Sequence, residues 1–314
     1  MPKTGRVQAG SRSVEVSNAG KVLFPDQGIT KGDLVDYYLR IAETILPYVR
    51  ERPVTMHRFP DGIRAEGFYE KRAPDHFPPW VKRVSVKLRG DGSQREIVCD
   101  NAATLAYLAD QACITPHVWL SRADRLNYPD RMIFDLDPSG EDFETVRSTA
   151  VLLKDLLEGV GLVPFVMTTG SRGLHVTVPL ERSADFDTVR TFAQDAARLL
   201  AKRAPEALTV EPRKGQRNGR LFLDCLRNAY AQTSVPPYAV RPKPGAPVAT
   251  PLHWDELTNV SPQQYTMKNI FRRLSQRPDP WEGIGRRARS LHQPYRRLKA
   301  LLGAGTSTSQ RASG

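Results

Sequence analysis

The stretch RMIFDLDPSG, residues 131–140, decides the fold. It reads as a β-strand in which apolar and acidic residues alternate, stopped by the turn-forming DPSG. Strand side chains point to alternate faces, so Phe134 and Leu136 share one face and Asp135 and Asp137 the other. Two adjacent carboxylates repel each other unless something neutralises them. Hard divalent cations such as Mg²⁺ and Mn²⁺ take carboxylate oxygens as ligands and do this well. The alternative is that the acids only form a strand-end turn. One aspartate alone favours that; a same-face pair joined by a third acid on another strand favours metal.

Outward from this strand, residues 142–161 carry Phe143, Val146, Ala150, Leu153, Leu157 and Val160 on one face of a helix ended by Gly161. PFVMTT (164–169) reads as a strand, GSRG as a turn, and LHVTVPL (174–180) as a returning strand. A helix over 187–204 and a strand, RLFLDCL (220–226), follow. The order β-α-β-β-α-β is the split-βαβ plan of ferredoxin-like and RNA-recognition folds. It predicts an α+β fold with both helices on one sheet face and the other face open. In RLFLDCL, Asp224 lies with Arg220 and Phe222, opposite Leu221, Leu223 and Cys225, and at a depth that lets it join Asp135 and Asp137. Three carboxylates suffice for two ions about 3.5–4 Å apart, the geometry of in-line phosphoryl transfer.

The turn TTGSRGLH (168–175) supplies an anion side: Gly170 and Gly173 permit tight backbone with outward amides, Thr169 and Ser171 offer hydroxyls, and Arg172 a charge. His175 and Thr177 fall on the acid-bearing face, while Leu174, Val176, Val178 and Leu180 face the helices. The bland alternative is a hairpin turn with a surface histidine. No Walker motif occurs. Further cations stand in EPRKGQRNGR (211–220), which includes Arg217, and in YAVRPKPG (238–245), which includes Arg241.

With 46 Lys and Arg against 34 Asp and Glu, the 314-residue chain carries +12, which favours a polyanionic partner such as nucleic acid. The three cysteines, Cys99, Cys113 and Cys225, form no CxxC pair or zinc spacing and read as buried small hydrophobes suited to a reducing cytosol. The start has no apolar signal segment, and no stretch approaches the about 18 apolar residues of a membrane span. Residues 1–12 read as loose and 11–25 as a short strand running into a loop. Residues 30–49 read as one helix, capped by Thr30 and striped by Leu34, Tyr37, Tyr38, Ile41 and Ile45. Short strands are expected over 52–100 and a helix over 101–112. Residues 268–299 hold ten Lys and Arg against two acids, and the end, GAGTSTSQRASG, has a disordered composition.

Taken together, KVLFPDQGITKGDLVDYY, FDLDPSG, TTGSRGLHVTVPL and LFLDCLRNAYAQTSVPPYAVRPKPGAPVATPLHWDEL resemble the polymerase domain of bacterial ATP-dependent DNA ligase D, in the archaeo-eukaryotic primase superfamily. The resemblance runs over about residues 13–300 in motif order. It implies a primase-like α+β fold: an amino-terminal mixed module (13–120), a split-βαβ catalytic core resembling an RNA-recognition fold (121–260) and a basic segment (261–302) within one domain (13–302). Residues 1–12 and 303–314 would be flexible. No ligase or nuclease module is attached, as in a stand-alone or excised domain.

The resemblance further implies a template-dependent nucleotidyltransferase of non-homologous end joining with two Mn²⁺ or Mg²⁺ ions. It would add NTPs, often in preference to dNTPs. Asp135 and Asp137 resemble the shared metal ligands, and Asp224 the third catalytic acid. Thr169, Ser171, Arg172, His175, Arg217 and Arg241 resemble the triphosphate cradle, and His117 a histidine near the primer end. Lys21 and Lys31 resemble a pair gripping the 5′-phosphate beyond a gap. Phe68 and Tyr69, followed by Lys71, resemble aromatics that stack on DNA, although the family usually has Phe-Phe there. Arg172 stands where many relatives carry Lys. DNA gaps and ends, the end-binding protein Ku and a DNA ligase are the implied partners of a monomer at the cytoplasmic nucleoid. Two rivals are a metal-dependent nuclease using the same acids and a non-catalytic binder with an RNA-recognition fold. The latter would show aromatics where Asp135, Asp137 and His175 stand.

Overall fold

The computed structural model describes residues 5–88, 90–138, 140 and 142–307. The amino-terminal half runs β1 (Gly5–Ala9), β2 (Arg12–Val16), β3 (Val22–Phe24), β4 (Ile29–Thr30), α1 (Lys31–Arg40), α2 (Ala42–Val49), β5 (Pro53–Arg58), β6 (Phe68–Glu70), β7 (Arg83–Lys87), β8 (Ser93–Val98), α3 (Ala102–Asp110) and β9 (Cys113–Trp119). The second half runs β10 (Arg131–Asp137), α4 (Phe143–Gly159), β11 (Phe165–Thr168), β12 (Leu174–Pro179), α5 (Phe186–Arg203), β13 (Leu208–Thr209), β14 (Leu221–Asp224), β15 (Thr233–Ser234), β16 (Thr250–Leu252), α6 (Ile270–Gln276) and α7 (His292–Ser307).

Two large sheets form. One has the order β13-β14-β10-β12-β11-β16, with the acidic strand β10 between β14 and β12. The alternation read from the sequence sets its faces. Met132, Phe134 and Leu136 join Leu174, Val176, Val178, Leu221 and Leu223 in a core under α4 and α5, packed by Val146, Leu153, Leu157, Val189 and Phe192. The other sheet has the order β15-β9-β5-β8-β7, with β6 on β5. It shares a core with α1, α2 and α3.

The acid-bearing face is therefore open only in part. Ile133 packs on Leu120, Phe186 and Tyr230, so the amino-terminal end of β10 is covered. Toward its carboxyl end, residues of both sheets line a cleft.

Three local expectations change. Residues 5–12 are not loose: β1 and β2 pair as an antiparallel hairpin, from Gly5–Val16 to Ala9–Arg12. The helix over 30–49 is two, joined at Ile41, where the N–H reaches both Tyr37 O and Leu39 O. The apolar stripe continues through this joint, so its spacing does not reveal the break. The tail expected over 303–314 is helical as far as Ser307; residues 308–314, like 1–4 and Ser139 of the DPSG turn, lie outside the described residues.

Candidate active site

The register of β10 builds the site. Asp135 stands opposite Asp224 of β14 on one side and opposite His175 of β12 on the other. Asp137 pairs with Phe222. Directly opposed residues of an antiparallel pair share a face, with Cβ atoms about 4.5–5.5 Å apart. Asp135, Asp224 and His175 are thus three neighbours across three strands.

Each acid is balanced differently. Asp135 Oδ1 lies 3.5 Å from His175 Nε2 and its Oδ2 3.6 Å from Arg227 Nε. Burial pushes its pKa up, but His175, Arg227 and Arg241 outweigh burial and hold it below the ordinary value. Asp137, half exposed, takes Arg172 at 2.9 Å. Asp224 accepts the Leu226 N–H at 2.7 Å. Burial, and then the charge of Asp135, raise its pKa in spite of that bond.

The phosphate-type turn between β11 and β12 is tighter than its sequence suggests. A Cβ at Gly173 would sit 2.1 Å from Leu136 O, so glycine alone fits against the acidic strand. Gly170 has φ +63° and a Cβ there would meet Arg241 Cγ at 2.9 Å. Two backbone amides are used inside the turn: Thr169 N donates to Gly173 O and Ser171 N to Thr169 Oγ1.

The cleft encloses about 200 Å³ and is lined by twelve residues, among them Asp135, Asp137, Thr169, Ser171, His175 and Arg241 from the catalytic sheet side and Tyr69 and His117 from the roof. Arg241 is partly buried, donates to Thr169 O at 3.1 Å and keeps its Nε, which is buried, without a partner. Burial lowers its pKa from the usual arginine value. His117 Nε2 and His175 Nδ1 are also buried without partners. Burial, followed by the charge of Arg241, pushes the His117 pKa well below that of a free imidazole. The ring is neutral at pH 7. Unsatisfied buried polar atoms are costly, and three in one cleft suit a polar ligand.

Sequence reasoning missed Arg227, Thr233, Ser234 and Val235, which also line the cleft. Arg227 sits only three residues after Asp224, but an arginine beyond a strand end carries no signal of its own. His57 was missed too; it stacks on Tyr69 at 4.1 Å and 10°.

Of the other expected site residues, Asp224, Arg172, Arg217, Phe68, Lys71, Lys21 and Lys31 are not among those that line the cleft. Arg217 stacks on Phe222 at 4.2 Å and donates to Glu211 O and Pro212 O instead of lining the cleft. Phe68 and Tyr69, on the edge strand β6, are 45% and 60% exposed, an unusual cost for aromatics that only pack a core. Lys71 is exposed, with Nζ 3.3 Å from Ala231 O. Lys21 is exposed and bonds Asp61 at 2.8 Å. Lys31 is not a surface cation: it is buried, 2.8 Å from Asp110 Oδ1, and donates to Ser17 Oγ and Asp110 O.

Among the described residues, no three His, Cys, Asp or Glu side chains form a ready metal-binding group. The donors themselves fit one. Asp135, Asp137 and Asp224 offer hard oxygen ligands on one face, and the half-exposed Asp137 is tied only by a solvent-facing arginine.

A family model for the LigD primase-polymerase domain matches residues 30–281. A Mycobacterium bovis protein, multifunctional non-homologous end joining protein LigD, is 33% identical over 285 residues, covering 88% of this chain and 37% of that protein. LigD of Mycolicibacterium smegmatis is 32% identical over 269 residues, covering 85% of this chain and 35% of that protein. The chain thus spans little more than a third of these relatives. The solved polymerase domain from Mycobacterium tuberculosis ligase D in complex with DNA matches with TM-score 0.81 and 32% identity, over 88% of this chain and 99% of that one. The order of the motifs, the primase-like architecture and these matches agree: this chain belongs to the LigD primase-polymerase domain family, nucleotidyltransferases that need divalent metal ions and nucleoside triphosphates.

Proposed function

We propose that this chain adds nucleotides to a primer 3′ end at gaps and breaks in DNA, as part of non-homologous end joining. The observation that carries this reading is the juxtaposition of Asp135 with Asp224 and His175 on neighbouring strands, with Asp135 and His175 lining a cleft that also holds the partly buried Arg241, its Nε unpartnered. Acids for metal and a cation for phosphate meet where a triphosphate would enter. The solved relative bound to DNA supports a nucleic-acid substrate.

Asp135, Asp137 and Asp224 would hold two divalent ions, Mn²⁺ or Mg²⁺. Ions bound there would lower the pKa of the primer hydroxyl and stabilise the leaving pyrophosphate. The chain's own groups do the rest. Arg241, fixed to the turn through Thr169 O, neutralises phosphate charge in a site where burial strengthens the interaction. Ser171 and Thr169 donate hydroxyl hydrogen bonds, and His175 Nδ1 and neutral His117 offer further polar contacts. Arg172 moves from Asp137 to the triphosphate, and Arg217 joins it only by leaving Phe222 and its own loop. Phe68 and Tyr69 stack on exposed bases, with Lys71 on the backbone; such stacking is worth about 1–3 kcal/mol per base and ignores sequence. Lys21 grips a 5′-phosphate, and Lys31 joins it only by leaving Asp110. Ribonucleotides are preferred, Ku and a DNA ligase are partners, and the protein works as a monomer at the cytoplasmic nucleoid. Among the described residues no helix is long and apolar enough to cross a membrane.

The test is extension of a labelled primer on a gapped duplex bearing a 5′-phosphate, with NTPs or dNTPs and Mn²⁺ or Mg²⁺. A lengthening ladder, longest with NTPs and Mn²⁺, is expected. A shortening ladder would make the protein a nuclease, and no change in length would leave it a binder.

A further inference from the structure

The ladder between β10 and β14 is short. It pairs Asp137 with Phe222, Leu136 with Leu223 and Asp135 with Asp224, and there it stops. After Asp224 the chain turns through Cys225 into a short 3₁₀ turn over Leu226–Asn228. Ile133, two residues before Asp135, would be left without a backbone partner on that side.

Asn228 fills the gap. Its side chain is fully buried. Oδ1 accepts the Ile133 N–H at 2.9 Å, and Nδ2 donates to Ile133 O at 2.7 Å. A carboxamide has the donor and acceptor of a peptide group, so it reproduces the two bonds that a strand neighbour would make. The second Nδ2 proton reaches Cys225 O at 3.1 Å, tying the same side chain back to the start of its own turn. Oδ1 and both Nδ2 protons are thus engaged. One side chain joins the strand carrying Asp135 and Asp137 to the turn that follows Asp224 and carries Arg227.

We propose that Asn228 is a positioning residue: its carboxamide replaces the missing strand rung and keeps Asp224 in register with Asp135 for metal binding. This rests on the polymerase reading above. Two like charges brought face to face tend to separate, and a β14 ending at Asp224 has no later rung to resist. Leu226 and Arg227, both a little under half exposed, ride on the same turn. Side chains that orient metal ligands from behind typically contribute 10–100-fold in metal affinity or activity.

The test uses the full chain and two variants, Asn228→Ala and Asn228→Ser, the latter too short to span both Ile133 groups. Mn²⁺ binding is measured without DNA or nucleotide, by loss of the free-ion electron paramagnetic resonance signal. Hydrogen exchange at Ile133 N–H reports the rung itself. Primer extension gives kcat, nucleotide KM and the Mn²⁺ concentration for half-maximal rate. The expected result is Mn²⁺ binding weakened about tenfold or more, a matching rise in half-maximal Mn²⁺, loss of Ile133 protection and nucleotide KM within about twofold. Reversible unfolding of a variant would itself raise the half-maximal Mn²⁺ by the inverse of its folded fraction, so that fraction is measured by circular dichroism without metal and divided out before the affinities are compared. Variants with wild-type Mn²⁺ affinity and half-maximal concentration would overturn the proposal, even if less stable. A wild-type chain that adds no nucleotide would instead overturn the polymerase reading.

Discussion

At the scale of single residues, the site depends on who balances whom. Among the described residues Asp137 pairs with Arg172, and both side chains are about half exposed. Asp137→Ala is expected to abolish nucleotide addition while leaving DNA binding within about twofold, as phosphate contacts and not this acid set affinity; primer extension beside a gel-shift titration checks both. The histidines predict a pH effect. Burial, and then Arg241, lower the His57 pKa from 6.5 to about 4, and the same two causes lower that of His117. Between pH 4 and 6.5 the unfolded chain binds more protons at these rings than the folded one. Stability from this source is therefore full above pH 6.5 and lost as pH falls toward 4. Chemical denaturation across that window should show it, with a flatter slope in His57→Phe. Asp135, Asp137 and His175 were legible as a same-face set because alternation along a strand is a local rule. Arg227 was not, because its approach to Asp135 depends on a turn that no periodicity describes.

At the scale of elements, strand and helix signals succeeded where pattern was strong. The strand read over 131–137 is β10. The helices read over 142–161 and 187–204 are α4 and α5 within a few residues. The short strands β13, β15 and β16 are two or three residues long and leave no pattern to read. The strand β9 is buried along its whole length, so it does not alternate, and it contains Pro116. The amino-terminal elements are pinned by an ion pair. Lys31, the first residue of α1, meets Asp110, the last of α3, and both side chains are over nine-tenths buried. Lys31→Ala should destabilise the fold by about 3 kcal/mol, because it leaves Asp110 buried beside no cation; urea denaturation measures it. A loss of 5′-phosphate recognition in that variant must be compared with Lys21→Ala, whose exposed pair with Asp61 contributes about 0–1 kcal/mol.

For the whole molecule, the charge of +12 is the broadest statement. Phosphate contacts release counterions, so binding to gapped DNA should weaken steeply with salt. The wild type should prefer a gap with a 5′-phosphate, and Lys21→Ala should lose that preference and flatten the salt slope by about one unit. Fluorescence anisotropy at several salt concentrations measures both. Equal affinity for the two gaps would remove Lys21 from phosphate binding. The same scale turns an open sheet face into a cleft. β9 and β6 belong to the second sheet, yet His117 and Tyr69 close over acids that lie on the first.

The sequence by itself determined the strand–helix order of the core and which side of each strand faces the helices. It also determined which acids share a face, since each follows from residues a few positions apart. Only the tertiary structure decided which cations are free. Lys31 is taken by a residue 79 positions away, Arg217 by an aromatic ring and its own loop, and Arg241 is tied to a carbonyl 72 positions away. A charge in a sequence has no partner until distant segments meet, and its burial, its pKa and its availability to a ligand are set at that meeting.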